Sequence, residues 1–322
     1  MTTATAAAAR QISYQLESLW DYDYVPTHHE LESLYETAKK NQWNGSAAID
    51  WSRPVGKEGP VLNVQLAFGG CPSFQDKTEA EWKDIEVAIS SWRLSQFLHG
   101  EQGALMVAAQ LVNSIPELDA KLYASTQVVD EGRHVEVFQR YVKKLHRIYP
   151  VDPLLKSLID EILSTDIWEL KLLGMQLLIE GLAIAAFNLM AKQTGDPTLA
   201  SLLDYVLQDE GRHVNFGYFA LRRSIPTLPE AKRQYLEDFA LRASDAMYAR
   251  DERTGFLSVK TAYGEMGFRD PDAIYTEVMT ESVTMKMFNR MLFTDVLIPR
   301  FQRLGLISER VAPRYREIGL LD

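Results

Sequence analysis

Asp130-Glu131-Gly132-Arg133-His134-Val135 recurs, residue for residue, as Asp209-Glu210-Gly211-Arg212-His213-Val214. Six consecutive identities at an offset of 79 mark an internal duplication, and the same offset carries Glu101 onto Glu180. Each half is therefore a lone Glu followed 30 residues later by Glu-x-x-His. A turn falls midway in each: Pro116 stands 15 residues from both Glu101 and Glu131, and Gly195 stands 15 residues after Glu180. At 1.5 Å per residue the two arms of each hairpin are roughly 20 Å long, so folding it back brings the lone Glu level with its Glu-x-x-His. Positions i and i+3 share a helix face, so each carboxylate points inward with its imidazole. Four helices thus present four carboxylates and two imidazoles to one point.

Four buried carboxylates repel one another and lose hydration at a cost of many kcal/mol unless cations neutralise them. Two metal ions do so, and oxygen-rich ligation with one imidazole per ion suits iron or manganese better than zinc. A Glu from each of two helices and a Glu-x-x-His from each of the other two is the ligand pattern of di-iron and di-manganese carboxylate bundles.

Over about residues 76–224 the chain resembles the ferritin-like di-iron carboxylate superfamily, and the twin Asp-Glu-x-Arg-His most resembles the hydroxylase subunits of bacterial multicomponent monooxygenases and the soluble acyl carrier protein desaturases. The resemblance implies an all-α fold, a ferritin-like four-helix bundle with additional N- and C-terminal helices. It implies that Glu101, Glu131 and His134 bind one iron and Glu180, Glu210 and His213 the other, with some carboxylates bridging; Mn or a mixed Fe/Mn pair is the variant. It also places Asp130 and Asp209 as acceptors for the far N–H of the opposite imidazole, held by Arg133 and Arg212.

Three departures narrow the function. Monooxygenase and desaturase relatives carry a Thr three or four residues after the third Glu, where this chain has Ala183 and Ile184. Radical-generating reductase subunits carry a Tyr seven residues after the second Glu, where Phe138 stands. Aryl-amine N-oxygenases add a third His four residues before the fourth Glu, and Val206 occupies that place. Small residues cluster around the lone acids, among them Gly100, Gly103, Ala104, Gly174, Gly181, Ala183, Ala185 and Ala186. Such residues either permit close helix packing or leave a cavity. The expected substrate pocket is Phe97, Gly103, Ala104, Met175, Ala183, Ile184, Phe187 and Val206.

The remaining composition fits this reading. The 322 residues hold 34 Lys+Arg against 44 Asp+Glu, a net charge of −10, with 46 % hydrophobic residues. Without a basic stripe an acidic chain does not bind nucleic acid or anionic membranes. A single cysteine, Cys71, excludes a disulfide framework and a multi-thiolate zinc site. Residues 172–191 are apolar enough to span a bilayer but carry Glu180 near the middle, which suits the centre of a soluble bundle. The start, Met1 to Gln11, is too weakly apolar for a secretion signal and reads as a disordered tail of a cytoplasmic protein.

Helical rhythm fills Thr27–Trp43, Asp76–Ser114, Pro116–Tyr149, Asp166–Thr194, Asp196–Ser224, Pro229–Arg250 and Asp272–Phe293. Between Asn44 and Ser73 a Gly/Pro-rich loop is expected, with a short strand at Val61–Phe68. Met279, Met285, Met287 and Met291 read as adaptable core. No linker divides the chain, so residues 1–322 are taken as one domain: a bundle at about 76–224 with accessory helices at 27–43 and 229–318. The resulting expectation is an O2-activating di-iron oxygenase or oxidase that hydroxylates, desaturates or N-oxygenates a small organic molecule. Its electrons come from an external ferredoxin or flavin reductase, since no flavin, nicotinamide or Cys-rich motif is present, and the resemblance implies a homodimer. The alternatives are iron storage and a di-metal ligand-binding protein without turnover.

Overall fold

Charge placement along the helices follows their dipoles. The first, α1 (His29–Lys40), has Glu30 and Glu32 in its first turn and Lys39 and Lys40 in its last. In this computed structural model, which describes residues 17–22, 24–25, 28–249 and 256–322, α2 (Glu79–Ser114) follows and is the longest element. The Thr78 hydroxyl accepts from the Glu81 N–H while the Glu81 carboxylate accepts from the Thr78 N–H, a reciprocal cap that fixes where α2 starts. Pro116 ends it, and α3 (Leu118–Leu145) returns antiparallel along it. Next come α4 (Pro153–Ser164), α5 (Trp168–Gln193) and α6 (Pro197–Ser224). Both α4 and α6 begin with Asp at the cap and Pro in the first turn, where a missing N–H costs nothing. The Asp196 cap also accepts from Gly56 N–H at 2.6 Å, tying the preceding loop to the end of the bundle.

Helices α2, α3, α5 and α6 form the bundle, and α1 lies across α3 and α6. Its core is divided. On α2 one apolar cluster includes Ile85 to Leu98 and a second Ala104 to Ile115, with Glu101 between them. The same change occurs on α3 between Ala124 and Val137, and on α6 between Val206 and Val214. A polar layer thus crosses the bundle at the level of the duplicated motif.

The chain is all-helical, and among the described residues there is no strand. Val61–Phe68 is a turn leading into a short helix, Gln65–Phe68. A lone strand there would have left its backbone groups without partners, and Val61 N–H instead reaches Glu86 Oε1 at 2.7 Å. Helix α4 was not expected, because its Pro153 reads as a breaker although it sits in the first turn. The expected helix at 272–293 is two, α9 (Pro271–Glu281) and α10 (Val283–Met291), divided at Ser282, whose hydroxyl accepts from Met285 N–H. Before them come α7 (Glu230–Ala249) and α8 (Val259–Glu265). The expected tail Met1–Gln11 and the ends at Thr27 and Arg250 lie outside the described residues.

Helix α5 is long and apolar enough to cross a membrane, but 61 % of its most apolar window is buried inside the protein. It is irregular at one place. Leu173–Ile179 is a π-helical turn, directly followed by Glu180. There Gly174 lies so close to Ile162 and Phe239 that a Cβ would stand 2.6 Å from Ile162 Cγ1.

Candidate metal centre

Glu101 comes from α2, Glu131 and His134 from α3, Glu180 from α5, and Glu210 and His213 from α6. All six are buried. His134 Nδ1 lies 3.3 Å from Glu101 Oε2, 3.4 Å from Glu131 Oε2 and 3.2 Å from Glu210 Oε1. His213 Nδ1 lies 3.1 Å from Glu131 Oε1 and 3.6 Å from Glu210 Oε2. The ligand-capable atoms form two groups, each within 4.8 Å: Glu101, Glu131, His134 and Glu210, and then Glu131, Glu180 and His213. The sequence had assigned Glu131 and Glu210 to separate halves; here Glu131 belongs to both groups, and Glu210 lies with Glu101 and His134 as well as near His213.

Behind each imidazole stands the acid of the other half. His134 Nε2 is 3.1 Å from Asp209 Oδ2, and His213 Nε2 is 3.3 Å from Asp130 Oδ2. Arg133 donates to Asp130 at 2.5 Å and to Asp209 at 3.1 Å; Arg212 donates to Asp209 and, at 3.3 Å, to Asp130. The two halves are cross-linked rather than stacked. Three further residues, not found from the sequence, complete the layer. Trp43 Nε1 donates to Asp209 Oδ2, and Gln42 Nε2 to Asp130 Oδ1 at 3.0 Å. Gln127 Nε2 donates to Glu131 Oε1 at 3.0 Å and Glu180 Oε1 at 3.1 Å. Gln127 carried a usable signal, since it lies one helical turn before Glu131 and is the repeat partner of Val206.

Charge decides what this layer accepts. Glu101, Glu131, Glu180, Glu210, Asp130 and Asp209 face two guanidiniums, which leaves four negative charges uncompensated when the imidazoles are neutral. Two divalent cations cancel them. Glu131 Oε2, Glu180 Oε2, both oxygens of Glu210 and His213 Nδ1 are buried without a hydrogen-bond partner, as metal-directed atoms should be. The donor set fits a di-metal cofactor. Burial, followed by the nearby Glu210 carboxylate, raises Glu101 well above the usual range, and burial with Glu131 does the same to Glu180. Burial also works against charge on Glu131 and on the histidines, but the imidazoles hold Glu131 well below, and the surrounding carboxylates hold His134 and His213 well above, their ordinary values. The site therefore holds positive charge strongly.

A cavity of about 230 Å³ opens from Glu101, Glu180 and Glu210. Of the expected pocket residues, Phe97, Ala104 and Ala183 line it. Gly103, Met175, Ile184, Phe187 and Val206 do not. A Cβ on Gly103 would stand 3.0 Å from Ile159, so this glycine serves close packing. Met175 and Val206 are fully buried core, Ile184 packs on the far cluster, and Phe187 stands between Phe97 and Phe138, with ring centroids 4.6 and 5.6 Å away. Gly100, beside which a Cβ would meet nothing, lines the cavity instead. The C-terminal helices form its far wall, with Met279 and Met285 among them, while Met287 and Met291 are exposed rather than core.

The model of the p-aminobenzoate N-oxygenase AurF family matches residues 26–305. The chain belongs to that family. As a member it is an O2-dependent di-metal oxygenase or oxidase acting on a small organic molecule. The sequence reached the superfamily through other branches, because the third His of the N-oxygenases is replaced by Val206, and the family match holds despite that replacement. Among solved structures the chain is similar to an R2-like ligand-binding oxidase with aerobically reconstituted Mn/Fe cofactor, at 19 % identity and TM-score 0.54 over 87 % of this chain and 93 % of that one. It is equally similar to a point variant of an R2-like ligand-binding oxidase with anaerobically reconstituted Mn/Fe cofactor, at 21 % identity and TM-score 0.55 over 87 % and 94 %. These likenesses concern the fold. No curated protein sequence matches the chain.

Proposed function

We propose that the protein is an N-oxygenase of amines, with Glu101, Glu131, His134, Glu180, Glu210 and His213 as metal ligands and Asp130, Arg133, Asp209 and Arg212 fixing the imidazoles. The observation that carries this reading is the set of orphaned carboxylate and imidazole atoms beside an apolar cavity, in a chain of the N-oxygenase family. When bound, two irons, or manganese with iron, supply O2 reduction. The chain's own contribution is positional. Glu131 and Glu210, each within reach of both imidazoles, would hold the metal pair together with Glu101 and Glu180; Glu101, Glu180 and Glu210 border the cavity. Asp209 and Asp130 accept the far N–H of His134 and His213, which leaves Nδ1 free to ligate. Phe97, Ala104 and Ala183 keep water from the reacting amine.

An external two-electron donor, ferredoxin or flavin reductase, belongs to the same reading, as do a single-domain chain, a homodimer and a cytoplasmic setting. Hydroxylation of carbon is the second reading, favoured by the absence of a third His at Val206. The test is metal analysis of the purified chain, followed by anaerobic reduction and exposure to 18O2 with p-aminobenzoate and other aryl amines. Two irons per chain and labelled N-oxygenated product are expected. Labelled ring-hydroxylated product supports the second reading, and a reduced metal-loaded protein that ignores O2 sinks both.

A further inference from the structure

Along α3 one row of buried side chains is polar: Asp119, Tyr123, Gln127 and Glu131 follow one another at four-residue spacing, so they share a face of the helix. The row runs about 18 Å, from the first turn of α3 to the metal layer. Its counterpart in the other half, shifted by 79 residues, is Thr198, Leu202, Val206 and Glu210 on α6, apolar at its two middle positions. Leu and Val fill those buried places in one half, so burial alone does not call for Tyr and Gln in the other.

The polar row is also incompletely satisfied. Tyr123 Oη and Gln127 Oε1 are buried without a hydrogen-bond partner, and so are both amide atoms of Gln176, one turn before Glu180 on α5. Tyr123 and Gln176 pack against consecutive residues of α6: the Tyr123 ring centroid is 4.7 Å from that of Phe216, and a Cβ on Gly217 would stand 2.7 Å from Gln176 Cβ. Burial keeps the Tyr123 phenol protonated, and it lies close enough to His213 and Glu180 to feel their charge. At the outer end Asp119 accepts from His28 N–H at 3.0 Å; His28 Nδ1 is again buried without a partner, and His29 beside it is exposed. Buried polar atoms of this kind are joined by ordered water. None of these residues lines the substrate cavity.

The chemistry requires a supply of protons. In N-oxygenation an amine and O2, with two electrons from the external donor and two protons, give a hydroxylamine and water: the N–O bond forms, the O–O bond breaks, and O2 is reduced. Beside the ligand acids the cavity wall is Gly100, Ala104 and Ala183, none of which has a proton to give. Resting on the oxygenase reading above, we propose that Asp119, Tyr123 and Gln127, with Gln176 beside them, are the proton route to the metal layer, and that water enters it from the His28 end. Tyr123 Oη gives its proton toward Gln127 and takes another from the Asp119 side, so the phenol ends unchanged and loses no electron. Gln127 and Gln176 are positioning residues that hold the water in line. The line ends where Gln127 Nε2 meets Glu131 and Glu180.

Two measurements test this. The first needs no turnover: a high-resolution crystal structure of the metal-loaded full chain should show ordered water joining Tyr123 Oη to Gln127 Oε1 and to the Gln176 amide, and a row without water overturns the proposal. In the second, reduced metal-loaded protein is mixed with O2 in weak buffer containing a pH indicator, and proton uptake is followed beside the oxidation of the metals. Tyr123→Phe keeps the ring against Phe216 and removes the hydroxyl. With metal content and melting temperature unchanged, its proton uptake should be slower by roughly tenfold or more, with a larger solvent deuterium isotope effect. Gln176→Leu should slow uptake in the same direction, which keeps the test decisive if Tyr123→Phe folds poorly. Tyr141, a buried phenol on α3 beyond the metal layer, is the control, and Tyr141→Phe should match the parent chain. Uptake at the parent rate in both Tyr123→Phe and Gln176→Leu, or equal slowing in Tyr141→Phe, overturns the route. The oxygenase reading is scored apart: a parent chain that N-oxygenates while both variants take up protons at its rate loses the route alone, whereas a reduced chain that ignores O2 loses both.

Discussion

Trp43 stands 166 positions before Asp209 in sequence, yet its indole Nε1 donates to Asp209 Oδ2 at 2.7 Å, and the same oxygen faces His134 Nε2 at 3.1 Å. Burial opposes charge on Asp209, but the hydrogen bonds from His134 and Trp43 keep its carboxyl below the usual range. The indole is itself fixed, stacked on Tyr205 at 4.8 Å with the Arg133 guanidinium over its face at 4.7 Å. Trp43→Phe keeps the stack and removes the donor. A 10- to 100-fold loss of metal affinity is expected, of order 1.5–3 kcal/mol. Metal retained after dialysis against graded chelator measures it, and unchanged retention would show that Asp209 does not need the indole.

Gln127 bridges Glu131 and Glu180 through one amide nitrogen. Gln127→Leu leaves two buried carboxylate oxygens without that donor, at a cost of about 1–3 kcal/mol. Bound cations offset this, so the metal-free variant should melt several degrees lower while the metal-loaded variant stays closer to the parent chain. Paired calorimetric scans with and without metal decide the matter; equal losses in both forms would refute the link.

Lys171 is fully buried, and its ammonium donates to Gln110 Oε1 at 2.5 Å and to the carbonyls of Ile162 and Leu163 at the end of α4. Burial pushes it down to about 8. A base with a depressed value in the fold releases its proton first, so between about pH 8 and pH 10.5 the unfolded chain holds the extra proton and alkali favours the fold, by up to about 3 kcal/mol. Lys171→Met strands the Gln110 Oε1 and Ile162 carbonyl acceptors, Leu163 keeping its bond from Gln110 Nε2, and should destabilise the protein by several kcal/mol at pH 7. Because the variant lacks this titration, the stability gap should widen from pH 8 to pH 10. Urea midpoints at pH 7 and pH 10 check both statements, and a constant gap contradicts the second.

Cys71 is fully buried at the base of the Pro72–Phe74 turn, and burial, with Glu277 and Glu281 adding, pushes its thiol up to about 11. Iodoacetamide at pH 8 should leave the folded chain unmodified and add one alkyl group per chain in denaturant, as mass spectrometry would show. Rapid labelling of the folded chain would mean that this corner opens.

What could be read in advance was whatever a helix makes local. Glu131 and His134, or Glu210 and His213, share a face because they are three apart, and the 79-residue offset finds Glu101 and Glu180 without any tertiary knowledge. The contributions of Trp43 and Gln42 are not local. Trp43 follows α1 and reaches α6 only because α1 lies across the bundle, and no spacing announces that. Nor does composition distinguish a glycine that admits a neighbour from one that leaves space. Gly103 and Gly174 turned out to be the first kind, against Ile159 and Ile162, and Gly100 the second. Expecting the pocket at Met175 and Ile184 failed for a related reason. Both precede or follow Glu180 on α5 at spacings that face the core cluster, whereas the cavity follows Ile179, Ala183, Ala186 and Met190.

The π-helical turn at Leu173–Ile179 bears on how the duplicated halves compare. Such a turn holds one residue more than a regular one, and α2 has no counterpart before Glu101. Downstream of Glu180 the halves align residue for residue at the 79-residue offset; upstream, any superposition needs a gap of one position. Deleting a single residue from the turn would close that gap and rotate Trp168–Leu172 by about 100° against Glu180. Glu169 and Lys171 would leave their partners Lys232 and Gln110. The second copy of the duplication therefore carries a frame shift in its geometry that its motif does not show.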